Sequence, residues 1–144
     1  MDEQKRDEIL ERIANALERM APPEKKIDNL DGSEGFIYEA KTGLIRPINI
    51  INRISLGLLQ GIVPQKKILY DNTINFSNDL PANNALLWGA RGTGKSSLVK
   101  SVHEEVLLNT KSRYLKLVEI HREDISDLPE LLSLLSKYKK YKFI

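Results

Sequence analysis

Apolar residues recur at three- and four-residue steps between positions 4 and 20. Ile9, Ile13, Ala16, Leu17 and Met20 fall on one side of a helix, and charged residues fill the rest. Asp2, Glu3 and Asp7 near its start and Arg19 near its end suit the helix dipole, and Pro22 and Pro23 predict its stop. Residues 22–53 lose that period. Asp31-Gly32 and Thr42-Gly43 are turn signals between two strand-like stretches, 35–40 and 43–51, and Pro47 places the second at a sheet edge. Residues 54–61 are apolar and end at Gly61. Pro64 then suits the first turn of a helix with Ile68, Leu69, Thr73 and Phe76 along one face, closed off before Pro81.

Leu86, Leu87 and Trp88 form a short apolar run, the pattern of a buried parallel strand. A helix is expected after it, through Leu98, Val99, Val102 and Val106. Residues 114–120 read as a further strand. Leu128, Leu131, Leu132, Leu134 and Leu135 supply the apolar face of another helix, with Asp127 and Glu130 as a capping pair and Pro129 in its first turn. Tyr141 to Ile144 opens one more strand. Strands alternating with helices predict an α/β fold with a parallel sheet and flanking helices.

Composition narrows the chemistry more than it names it. The 144 residues suffice for one domain with a real core, and 41% hydrophobic against 29% charged is ordinary for a globular chain. The formal charge of +2 does not favour a nucleic-acid partner, and Lys137, Lys139, Lys140 and Lys142 read as a solvated run. With no cysteine, disulfides, thiolate catalysis and Cys-based metal sites are excluded. The N-terminal residues have no secretory pattern and no segment has the length and apolarity of a membrane span, so a cytoplasmic location without a membrane partner is expected.

The segment between the apolar run and the next helix carries the chemistry. Gly89-Ala90-Arg91-Gly92-Thr93-Gly94-Lys95-Ser96-Ser97 contains glycine, four residues, then Gly94, Lys95 and Ser96, which is the full Walker A spacing. Its strand–loop–helix setting is the one a P-loop needs. Glycines let backbone N–H groups turn inward and approach a polyphosphate, and the dipole of the following helix favours negative charge there. Lys95 is the expected catalytic residue, set against the β- and γ-phosphates. Ser96 is the expected Mg²⁺ ligand, and Ser97 is placed toward the α-phosphate. The backbone of Ala90, Arg91, Gly92 and Thr93 lines the loop. The expected ligands are ATP and Mg²⁺.

Hydrolysis also calls for an acidic residue at the end of a later strand. Glu119 and Asp124 are the acids near a strand after the loop, and both come early for that role; His121 and Glu123 lie at the strand edge where open α/β sheets bind ligands. The sequence therefore reads as a fold interrupted before its Walker B strand. Residues 1–53 are expected to form an N-terminal helix and hairpin region, and 54–144 a partial nucleotide-binding core.

The string from Leu80 to Lys100, LPANNALLWGARGTGKSSLVK, resembles a bacterial family of AAA+ ATPases designated domain of unknown function 815. Leu58-Leu59-Gln60-Gly61-Ile62-Val63-Pro64-Gln65-Lys66 is similar to that family's LxGxxxQK element, and Asn72, Phe76 and 124–135 continue the register. Leu56 departs from the acidic residue many relatives carry. The resemblance implies an AAA+-like P-loop NTPase core with Ile62 and Val63 near the adenine and Lys95 and Ser96 as phosphate and Mg²⁺ ligands. It also implies a parent protein that hydrolyses ATP as a homo-oligomer, with Walker B, sensor and arginine-finger parts that follow position 144. Two other readings compete: a nucleotide-binding module without catalysis, and a small P-loop kinase. The long stretch before the loop weighs against the kinase.

Overall fold

The computed structural model describes residues 3–20, 27, 29–110 and 112–144. The stop at Pro22 and Pro23 lies outside them. Helix α1 spans Glu3–Met20, the strands β1 and β2 span Gly35–Glu39 and Leu44–Ile48, and helix α2 spans Val63–Ser77. Helix α3 spans Lys95–Thr110, strand β3 Leu115–Ile120, helix α4 Leu128–Leu135 and strand β4 Lys142–Phe143. Short 3-10 turns at Leu56–Leu58 and Arg122–Asp127 precede α2 and α4.

The sheet has four strands in the order β2-β1-β3-β4. β1 and β2 form an antiparallel hairpin, with Gly35 opposite Ile48 and Glu39 opposite Leu44. Gly43, at φ 61°, makes the turn between them. Pro47 sits on β2, at the sheet edge, where the missing N–H costs no ladder bond. β1 then pairs in parallel with β3, Phe36 opposite Val118, and β3 in parallel with β4, Leu115 opposite Lys142. The sheet is thus mixed, not wholly parallel, because the connection from β1 to β2 is a tight turn and a tight turn forces antiparallel pairing.

Strand alternation sends the side chains of β3 to two cores. Val118 and Ile120 join Phe36, Tyr38 and Ile45 under Leu131, Leu134 and Leu135 of α4. Leu115 faces the other way, into a cluster with Leu98, Val102 and Val106 of α3 and Leu69 of α2. The result is a sheet with helices on both faces, an α/β/α arrangement. Among the described residues, no helix is long and apolar enough to cross a membrane.

Four expectations fail locally, each for a physical reason. Leu128 and Leu132 are 38% and 56% exposed, because α4 turns Leu131, Leu134 and Leu135 to the sheet. Ile68 is 69% exposed, whereas Leu69 and Thr73 are buried. α2 turns toward α3 the face that carries Leu69, Tyr70 and Thr73, and Ile68 lies outside it. Asp127 occupies the N-cap of α4 but makes no side-chain cap bond, because the preceding 3-10 turn runs straight into the helix. The fourth concerns the apolar run at 86–88. It forms no strand, and Leu86 and Trp88 are 86% and 88% exposed. A parallel strand exists only where a neighbour supplies its ladder. Here a groove of about 550 Å³ separates residues 82–87 from Phe143 and Ile144. Residues 82–87 are held by α2 instead: Asn72 Nδ2 donates to the Asn83 carbonyl at 2.7 Å and the Asn83 N–H donates to Asn72 Oδ1 at 2.8 Å.

Candidate functional site

The loop of residues 89–94 joins this extended segment to the first turn of α3. Its backbone needs glycine at three positions: Gly89, Gly92 and Gly94 have φ of 137°, 83° and 81°. L side chains rarely adopt such values. A side chain at Gly94 would also meet Leu59 Cδ2 at 4.0 Å, so the apolar stretch before α2 lies directly against the loop. Leu59 is a neighbour of the loop that the motif does not announce. Its signal in the sequence is only membership of the LxGxxxQK element.

Lys95 folds back over the loop. Its ammonium donates to the Gly89 carbonyl at 3.0 Å, the Ala90 carbonyl at 2.6 Å and Thr93 Oγ1 at 3.2 Å. Thr93 Oγ1 in turn donates to the Ala90 carbonyl at 2.9 Å. A single cation thereby gathers the acceptors of both ends of the loop. The helix proper begins with the Leu98 N–H donating to the Gly94 carbonyl at 2.8 Å. The N–H groups ahead of it belong to a first turn that has no intrahelical acceptors. Ser96 and Arg91 are exposed, and Ser97 is half-buried.

The expected site residues from 89 to 97 therefore run continuously along the loop and into the first turn of α3. Ile62 is the N-cap residue of α2, half-buried against the same cluster as Leu59 and Leu87. Val63 follows it and is 67% exposed. Of the acids, Glu119 is paired with Lys100 of α3 at 2.8 Å, and Glu123 and His121 are exposed at the start of the second 3-10 turn. Among the described residues, no group of three or more His, Asp or Glu side chains is placed to hold a metal ion.

Behind the loop, α3 is tied down by a polar network that the sequence did not flag. His103 is fully buried. Its Nδ1 accepts from Arg53 Nη2 at 3.2 Å, which leaves Nε2–H to donate to the Leu115 carbonyl at 3.3 Å. Arg53 also pairs with Glu34 at 2.8 Å and Glu104 at 3.8 Å. Burial holds the His103 pKa down at about 4; the bond to Leu115 opposes that shift and the Arg53 charge adds to it. The single Ser101 hydroxyl proton is shared between the Ile54 carbonyl at 2.5 Å and the Ser97 carbonyl at 2.8 Å. The helix carrying the loop is thus pinned to β3, to the residues flanking β1 and to the segment before α2.

A family model described as "Protein of unknown function (DUF815)" matches residues 32–144. The chain belongs to the DUF815 family. The match covers β1 through β4, so the hairpin, the sheet and the glycine loop all lie within the DUF815 region, while α1 lies ahead of it. No curated protein and no solved structure matches the chain.

Proposed function

We propose that residues 89–97 are a P-loop that binds the triphosphate of ATP, within an AAA+-like nucleotide-binding core. One observation carries the reading: a Walker A sequence whose three glycines hold positive φ while Lys95 bridges the loop carbonyls. In this reading an incoming phosphate replaces those carbonyls as the partner of Lys95. The exchange trades neutral acceptors for charged ones, and charge-assisted hydrogen bonds are the stronger kind. The N–H groups from Gly92 to Ser96 donate to the β-phosphate, aided by the positive end of α3.

Ser96, exposed at the start of α3, has a hydroxyl of the type that completes a Mg²⁺ shell of phosphate oxygens and water. The ion would supply charge neutralisation along the phosphates. Ile62 and Val63 would contact the base, a placement supported by the packing of Leu59 against Gly94. Turnover to ADP and phosphate, and assembly into a homo-oligomer, belong to the same proposal for the parent protein.

The test is calorimetry with Mg-ATP on this chain beside Lys95→Ala. Micromolar binding is expected, weakened at least ~100-fold by the substitution, since hydrogen bonds to a charged partner contribute about 1.5–3 kcal/mol each and Lys95 supplies several. AMP, which lacks the β- and γ-phosphates, should not compete. A folded wild-type chain that takes up no ATP would refute the proposal. Phosphate release measured in the same samples separates an ATPase from a binding module, and transfer to a small acceptor would favour the kinase reading.

A further inference from the structure

Two adjacent lysines open α2, and one of them breaks a local rule. Lys66 is the fourth residue of a helix that has no acidic residue in its first turn and no side-chain cap. A cation there opposes the helix dipole, and fixing a long flexible side chain costs entropy. Lys67 has an ordinary surface role: it pairs with Asp71 one turn on, at 2.6 Å. Lys66 is half-buried and reaches back along the chain instead, where its ammonium donates to the Leu56 carbonyl at 3.1 Å. A residue that works against its own helix is expected where function, not stability, has set its place.

Leu56 opens the 3-10 turn Leu56–Leu58, which packs on α3. The turn delivers Leu59, whose Cδ2 lies 4.0 Å from where a Gly94 Cβ would stand, behind the last glycine of the loop. Leu56, Leu59 and Ile62 all pack on the cluster that Leu98 and Val102 of α3 build. Just upstream, the Ser101 hydroxyl of α3 holds the Ile54 carbonyl. The bond from Lys66 to Leu56 then closes residues 56–66 into a strap with Leu59 inside it. Resting on the reading of residues 89–97 as a P-loop, we infer that Lys66 is a positioning residue for that loop. By closing the strap it holds Leu59 behind Gly94, and the loop backbone is set for phosphate before any arrives. Lys66 touches no ligand; it lowers the ordering cost of binding one.

Inorganic tripolyphosphate is the deciding ligand, because it has no base and reports on the loop alone. Its Mg²⁺ complex is titrated into the full chain by calorimetry, beside Mg-ATP. Lys66→Met keeps the bulk of the stem and removes the donor. It should weaken both ligands roughly 3- to 10-fold, the range for one hydrogen bond. Lys67→Met, one residue on, should bind as the wild type does. Leu59→Ala should weaken binding to a similar extent. The double variant Lys66→Met with Leu59→Ala should be no weaker than the weaker single, since both act through one contact. Tripolyphosphate bound equally well by Lys66→Met and wild type would overturn the inference, even if ATP binding fell. Fully additive losses in the double variant would overturn it too. Binding by the wild type that Lys95→Ala abolishes upholds the P-loop reading whatever Lys66 does. A folded wild-type chain that takes up neither ligand sinks both.

Discussion

Acid should destabilise this fold through one buried histidine. His103 has no exposed surface, and both ring nitrogens are used in the neutral form, Nδ1 as acceptor from Arg53 and Nε2–H as donor to the Leu115 carbonyl. Protonation would point a second N–H at a guanidinium. The folded pKa is accordingly lowered from 6.5 to about 4, with burial as the main cause. The unfolded chain takes up the proton below about pH 6.5, and the folded chain resists it until about pH 4. The contribution is therefore complete above pH 6.5 and is lost as pH falls toward 4. The shift corresponds to roughly 3 kcal/mol, with a slope of about 1.4 kcal/mol per pH unit inside the window.

Urea unfolding between about pH 5 and 6.5, above most carboxylate titration, measures that slope. His103→Gln is the comparison. The amide can accept from Arg53 and donate to Leu115, but it does not titrate. Its stability should be nearly flat across the window where the wild type falls. Equal slopes in the two proteins would refute the assignment, whatever their absolute stabilities.

Other substitutions test the remaining parts of the argument. Arg53→Met removes a cation that helps hold the histidine neutral, so the folded His103 pKa should rise toward 6.5 and the loss of stability on acidification should be smaller and end at a higher pH than in the wild type, read as the change of the urea midpoints with pH. Phe36→Ala, in the core beneath α4, should cost about 3–5 kcal/mol in the same assay, whereas Leu86→Ala, on the exposed segment, should stay within about 0.5 kcal/mol. Gly92 has open space around its Cα but a φ of 83°, so Gly92→Ala should cost about 1–2 kcal/mol from backbone strain alone and weaken Mg-ATP binding further.

The sequence announced elements whose information is local. α1, α3 and β3 follow their hydrophobic periods, Pro47 marks the edge strand, and the glycine–lysine–serine spacing by itself locates the loop. What it could not carry was information held by distant partners. The run Leu86 to Trp88 has strand composition, but a strand is made by a neighbouring ladder and composition cannot supply one. The face that α2 buries is not legible at Ile68, because apolar residues occur on more than one side of the helix and α3 decides among them. The parallel pairing of Phe36 with Val118 joins positions far apart in the chain, with no local signal. Arg53 and His103 likewise look ordinary in sequence. Only the fold brings them together and makes one of them a buried base.

The segment that failed to become a strand holds the chain's single tryptophan. Trp88 stands one residue before Gly89 with its indole in water, and α1 contains no aromatic residue at all. Intrinsic fluorescence of this chain excited through indole is therefore a signal from one place. Docking of the segment against an apolar surface would move the emission to shorter wavelength, and a ligand in the loop would change its intensity. The protein thus carries its own optical label at the loop, where occupation of the loop and docking of the segment can be followed in one cuvette.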